Sequence, residues 1–253
     1  MPNSKPPQQI MKKVAIVLIT KDRRKLFYQT FKSLIDNTHR DLYDLIVVDD
    51  DSTKTSLLAD LLNRGEITDL IFTDMKSPGA CRNIGMEIVK RRDYEYVYHT
   101  DNDMYFLPGW LEKCIDALEK YPEIGLIAPY GHPYHLQNDD PLYSLPANGE
   151  IYPVNACAGN SWFLRVKDYV RIGLAENKGI MASEDHDFCI KMRYPIDFNK
   201  DYGPEKLCCR FRENMVLHCG ITNSKGEPAT GADVMLEELS EAKIKHNLNI
   251  YYE

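Results

Sequence analysis

Apolar and polar positions along the first hundred residues switch repeatedly between the period of a strand and that of a helix. Val14–Thr20 (VAIVLIT) is a continuous apolar run, as expected of a strand buried on both faces. Phe27, Phe31, Leu34 and Ile35 then fall at helical spacing, ending near Asn37. A second buried strand, Asp44–Ser52 (DLIVVDDDS), runs into acidic residues. Leu57, Leu58, Leu61 and Leu62 mark a helix that closes near Gly65. Leu70–Phe72 reads as a third strand, and Ser77-Pro78-Gly79 opens a helix to about Arg91. Tyr96–Tyr98 begins a fourth strand that ends in His99-Thr100-Asp101-Asn102-Asp103. This cadence predicts an α/β fold, with a mostly parallel central sheet joined by right-handed crossovers and flanked by helices.

The second half is less regular. Trp110–Tyr121 reads as a helix behind Pro108-Gly109, and Ile124–Ala128 as a strand. Residues 129–150 are rich in Pro, Tyr, His, Asn and Asp without periodicity, the length of a functional loop. Ser161–Val166 suggests a strand, Glu184–Met192 a short helix, residues 206–218 a further strand, and about 231–246 a terminal amphipathic helix. The expected organisation is a disordered tail over 1–12, one half over 13–104, a second over 105–230, and a C-terminal helix over 231–253.

Composition narrows the classes. At 253 residues and 43% hydrophobic content, the chain suits one large domain or two small ones. A net charge of −7 argues against nucleic acid as a partner, while a polyanionic small molecule stays open if a metal ion supplies positive charge. Seven cysteines without a C-x-x-C pair point to reduced thiols in a cytoplasmic protein. The longest apolar run, Val14–Ile19, is too short for a transmembrane segment, and MPNSKPPQQI lacks the apolar core of a signal peptide.

In an open parallel sheet, ligands bind beyond the carboxyl ends of the strands. That edge collects Thr20, Lys21 and Asp22, then Asp49 to Asp51, then Asp101 and Asp103. Gathered carboxylates repel one another unless a cation lies between them, and Mg²⁺ or Mn²⁺ suits such oxygens. Asp101 and Asp103, at i and i+2 of an extended chain, share a side; the alternative is a solvated acidic turn. Arg82 and Asn83 open a helix whose N-terminus would favour a diphosphate, or they belong to a capped surface helix. Glu184, Asp185 and Asp187 either complement a helix dipole or carry chemistry. His218 is either a core histidine or a ligand; His99 reads as structural. Cys208, Cys209, His218 and Cys219 make a poor zinc site, because adjacent cysteines cannot easily share one tetrahedron. Trp162, Tyr130, Tyr134 and Tyr143 offer aromatic faces for an acceptor sugar, or, for Trp162, plain core packing. No P-loop and no G-x-G-x-x-G is present.

Taken together, VAIVLITKDRRKLFYQTFKSL, IVVDDDST, SPGACRNIGM, YHTDNDMYFLPGWLE and SEDHDFCIKMR resemble, in order, the motifs of the GT-A nucleotide-diphospho-sugar transferases, specifically glycosyltransferase family 2. The resemblance runs from about Val14 to His218. It implies a metal-dependent, inverting, single-transfer glycosyltransferase of hexosyltransferase type, using Mn²⁺ or Mg²⁺ and a UDP- or GDP-linked sugar. The acceptor would be a hydroxyl on a glycan, lipid or protein. Thr20 and Asp49 would contact the nucleotide base with Asp22 assisting, and Arg82 would lie near the base or diphosphate, with Asn83 supporting its loop. Asp101 would face ribose and metal, Asp103 the metal, and His218 the metal or diphosphate. Asp185 would be the general base, with Glu184 beside it. Asp51 stands where the family usually has Gly, and the Q-x-x-R-W element of processive synthases is absent. Two alternatives differ in kind: a metal-dependent sugar nucleotidyltransferase, which would release pyrophosphate, and a non-catalytic nucleotide- or glycan-binding module.

Overall fold

The computed structural model describes residues 14–131, 149–173, 184–194, 206–222, 227–229 and 231–252. The expected tail over 1–12 and most of the 129–150 loop, including Tyr134 and Tyr143, lie outside these. Among the described residues, eight strands form one sheet in the order β3-β2-β1-β4-β8-β6-β9-β7. They are β1 (Val14–Thr20), β2 (Tyr43–Asp50), β3 (Asp69–Thr73), β4 (Tyr96–Thr100), β6 (Ile124–Ala128), β7 (Ile151–Pro153), β8 (Ser161–Arg165) and β9 (Leu207–Phe211). β1 pairs in parallel with β2 and β4, β2 with β3, and β6 with β9. β8 is inserted antiparallel between β4 and β6, and β7 runs antiparallel on the far edge. The sheet is therefore mixed but mostly parallel.

Every residue of β1 is buried, since helices cover both of its faces. Val14, Ile16 and Leu18 point to one side, where α1 (Arg24–Asn37), α2 (Ser56–Asn63) and α4 (Trp110–Lys120) supply Phe31, Leu61 and Trp110. Ala15, Val17 and Ile19 point to the other, against Met86 and Val89 of α3 (Pro78–Val89), Tyr169 of α5 (Val166–Ile172) and Phe188 of α6 (Glu184–Arg193). This alternation is the period of two that a strand imposes. Gly85 brings α3 close to β1: a Cβ there would lie 2.3 Å from Val17 Cγ1.

A second, two-stranded sheet pairs β5 (Met104–Phe106) with β10 (Val216–His218) in antiparallel register, His218 opposite Met104. Two buried hydroxyls of α1 satisfy its edge: Met104 N donates to Thr30 Oγ1 at 3.0 Å and Phe106 N to Ser33 Oγ at 3.1 Å. The terminal helix α7 (Ala232–His246) packs through Leu239 and Ala242 with Leu26 and Leu217. Among the described residues no helix is long and apolar enough to cross a membrane.

Two expectations change. Residues 206–218 form two strands rather than one, because a turn at Arg212-Glu213-Asn214 hands the chain from the large sheet to the small one. Trp162 and Tyr130 offer no face to an acceptor sugar. Both are fully buried, and Trp162 stacks on Phe188 at 4.4 Å between centroids. Cys208 and Cys209, adjacent on β9, point into opposite cores, as neighbouring strand residues must. All seven cysteines are buried free thiols.

Candidate active site

Register aligns the carboxyl ends of the central strands. Thr20 lies opposite Asp49, and Leu18 opposite Thr100, so the turns after β1, β2 and β4 emerge along one edge. The first turn is held in left-handed backbone at Asp22 (φ 50°) and Arg23 (φ 46°). It is clamped to the second: Asp22 N donates to Ser52 Oγ at 2.7 Å, and Thr53 donates to Asp22 Oδ1 through its N at 2.9 Å and its hydroxyl at 2.8 Å. The amide and hydroxyl of Thr53 hold the Asp22 carboxyl below its ordinary pKa. Asp49 is almost wholly buried; its Oδ1 accepts from Ser52 N at 3.0 Å, while its Oδ2 has no hydrogen-bond partner. A cavity of about 180 Å³ opens beside it, lined by Thr20, Asp22, Arg24, Ser52 and Thr53.

The third turn is tied to the first through a residue that the motifs did not single out. Asn102 Nδ2 donates to Thr20 Oγ1 at 2.9 Å. Asp101 and Asp103 lie on either side of it and meet different partners. Asp101 Oδ1 accepts from Arg82 Nη2 at 3.0 Å, and Arg82 Nη1 reaches Glu184 Oε1 at 3.1 Å. Arg82 thus bridges the turn after β4 to the first turn of α6. Its guanidinium is 2% exposed, with its Cζ 5.4 Å from the Trp162 ring centre. Burial raises the pKa of both Asp101 and Glu184, and Arg82 opposes the rise in each. Ser77 caps α3, its Oγ accepting from Ala80 N at 3.4 Å with Pro78 at the first helical position, and this fixes where Arg82 starts. Asn83 faces away from these carboxylates, accepting from Tyr169 OH at 3.1 Å.

Asp103 meets an arginine and a histidine. Arg23 Nη1 donates to Oδ2 at 2.7 Å, and His218 Nε2 lies 3.2 Å from Oδ1. Burial alone would raise Asp103; the His218 and Arg23 charges outweigh it and hold the carboxyl below its ordinary value. Burial would lower His218, but Asp103 beside it turns the shift upward. Asp185, on α6 next to Glu184, is partly exposed and its Oδ1 accepts from His186 N at 2.7 Å. His99 is fully buried one residue before Thr100, between Trp162 and Tyr169, and burial pushes its pKa well down.

Residues 15–165 match the sequence profile of the family described as Glycosyl transferase family 2. The chain belongs to that family. Among solved structures, GalNAc-T7 with UDP, GalNAc and Mn²⁺ superposes with a TM-score of 0.61 at 15% identity, over 83% of this chain and 44% of that one. The mannosyltransferase PcManGT from Pyrobaculum calidifontis, in complex with GDP-Man and Mn²⁺, also gives 0.61, at 13% identity over 99% of this chain and 68% of that one. Residues 1–349 of S. aureus TarS give 0.56 at 17% identity, over 81% and 59%. At these identities the likeness establishes the GT-A fold. The chain spans 44% of the length of GalNAc-T7 and 59% of that of the TarS fragment. No curated protein matches the chain.

As a family 2 member, the chain raises the question of a divalent cation. Among the described residues no three His, Cys, Asp or Glu side chains already form a cage for one. The donor types nevertheless fit. Asp103 Oδ1 is buried with His218 Nε2 3.2 Å away, and His218 Nδ1 faces Met235 Sδ at 3.1 Å. An oxygen and a ring nitrogen this close suit two ligands sharing one cation, and the carboxylate is the ligand type that Mg²⁺ and Mn²⁺ favour.

Proposed function

We propose that this chain transfers a sugar from a nucleoside-diphosphate sugar to an acceptor hydroxyl, with inversion and one transfer per encounter. The observation that carries the reading is the bridge of Arg82 between Asp101 and Glu184 in a family 2 chain. It holds the donor edge of the sheet and the acidic helix α6 as one rigid constellation. The cavity beside Asp49 would take the base, with Asp22 and Thr20 at its rim. Uridine and guanosine are the favoured bases, since the structural neighbours hold UDP or GDP-Man. Asp103 and His218, with Asp101 across from them, would hold Mn²⁺ or Mg²⁺, which would supply positive charge to the departing diphosphate.

Asp185, at the position where the family resemblance puts the general base, would take the proton of the acceptor hydroxyl, beside Glu184, whose Oε1 lies 3.1 Å from Arg82 Nη1. A base on the acceptor side, opposite the leaving group, gives direct displacement and inversion at the anomeric carbon. Here Glu184 orients the start of α6, and residues 13–104 serve mainly the donor while 105–230 serve the acceptor and the base.

The test follows nucleoside diphosphate release from UDP- and GDP-sugars with Mn²⁺ and a panel of acceptor glycosides. Wild-type protein should turn over one donor, and Asp185→Asn should lower kcat by about 10²–10⁴-fold. The nucleotide-dependent rise in Tm should survive in that variant. Near-wild-type turnover by Asp185→Asn would overturn the base. Pyrophosphate release from a nucleoside triphosphate and a sugar phosphate would overturn the reaction itself.

A further inference from the structure

Arg23 is engaged more closely with the acidic pair than its place in an exposed turn predicts. One guanidinium nitrogen, Nη1, donates to Asp103 Oδ2 at 2.7 Å; the other, Nη2, donates to the Thr222 carbonyl at 2.7 Å. The residue adopts left-handed backbone (φ 46°, ψ 45°), a region that arginine rarely occupies and that persists only when contacts over-determine it. The space is tight. A Cβ at Gly220 would lie 2.2 Å from Asp103 Oδ2 and 3.0 Å from Arg23 Nη1, so the chain after β10 closes against the pair only because residue 220 is glycine. Cys219 N donates to the Asp103 carbonyl at 2.7 Å, which fixes that segment on the same turn.

We propose that Arg23 is the built-in counter-cation of Asp103 and competes with the divalent ion for it, so that Arg23 sets how weakly the metal binds before the donor arrives. The inference rests on the metal reading given above. A guanidinium on one oxygen of a carboxylate offsets the charge that would attract a metal to the other. Two cations sharing one buried carboxylate also repel each other more strongly than they would in water. A nucleoside diphosphate brings its own negative charge and removes that conflict. Arg23 would therefore make metal and donor bind together rather than in sequence.

The probe is Mn²⁺ alone, titrated into the full chain and followed by loss of the free-ion electron paramagnetic resonance signal. Arg23→Gln should bind Mn²⁺ at least about fivefold more tightly than wild type, the lower end of an ordinary coupling between two sites. Arg23→Asn should do the same; asparagine tolerates the left-handed region, so it serves where Gln disturbs folding. Lys21→Gln removes the same charge two residues away and should leave affinity unchanged. Measurable but equal binding by wild type and both Arg23 variants would overturn the competition while leaving the metal reading intact. An equal gain in Lys21→Gln would overturn it as a diffuse field effect. Absence of Mn²⁺ binding in every chain would overturn the competition and the metal reading together.

Discussion

Arg82 holds a full charge at 2% exposure, and it remains there because two carboxylates meet its two terminal nitrogens. Replacing one partner of such a buried pair leaves the others desolvated and unbalanced. Arg82→Met should therefore cost about 3 kcal/mol of folding stability, read by urea denaturation at pH 7.5. Arg82→Met combined with Glu184→Gln should cost less than the sum of the single changes, since the second removes a charge the first leaves stranded. Strict additivity would show that the bridge is not energetically coupled. In sequence, Arg82 read equally as a diphosphate contact and as a solvated helix residue. The segment SPGACRNIGM around it carries the family resemblance, but nothing local shows that its partners are Asp101 and Glu184, 19 and 102 residues away. Arg23 was less legible still, because its partner Thr222 lies 199 positions along the chain.

At the scale of elements, close contact between α3 and β1 sets the position of Arg82. Gly85 permits that contact, for a Cβ there would lie 2.3 Å from Val17 Cγ1. Gly85→Ala should destabilise the protein by about 1–3 kcal/mol despite alanine's better helix propensity. Trimming the neighbour with Val17→Ala in the same chain should recover part of the loss, measured as the shift in the urea midpoint. Long apolar runs made β1, β2 and β6 and the periodic helices α1 and α4 readable, because burial on two faces or one leaves a repeated mark. The short strands β5, β7 and β10 leave none. Each is three residues long and exists through its partner: β5 through β10, and β7 through β9.

Over the whole molecule, the two expected halves share one sheet. β8, from the second half, lies between β4 of the first and β6 of the second, and pairs with both. A fragment ending at residue 104 would leave β4 without its antiparallel partner and expose the faces of Tyr98 and His99 that the second half covers. The 253-residue chain should melt in one cooperative transition by calorimetry, and the fragment should show none. Two resolved transitions in the full chain would mean that the halves fold independently.

The sequence by itself determined the βα cadence, the buried central strands and the gathering of Asp49, Asp101 and Asp103 at one edge, because burial period and strand polarity act over a few residues. It also placed Glu184 and Asp185 at the start of a helix. Only the tertiary structure decided which charge answers which: Arg82 to Asp101 and Glu184, and Arg23 and His218 to Asp103. Those pairings depend on distances across the fold, and a charge written in a sequence has no direction until the backbone aims it.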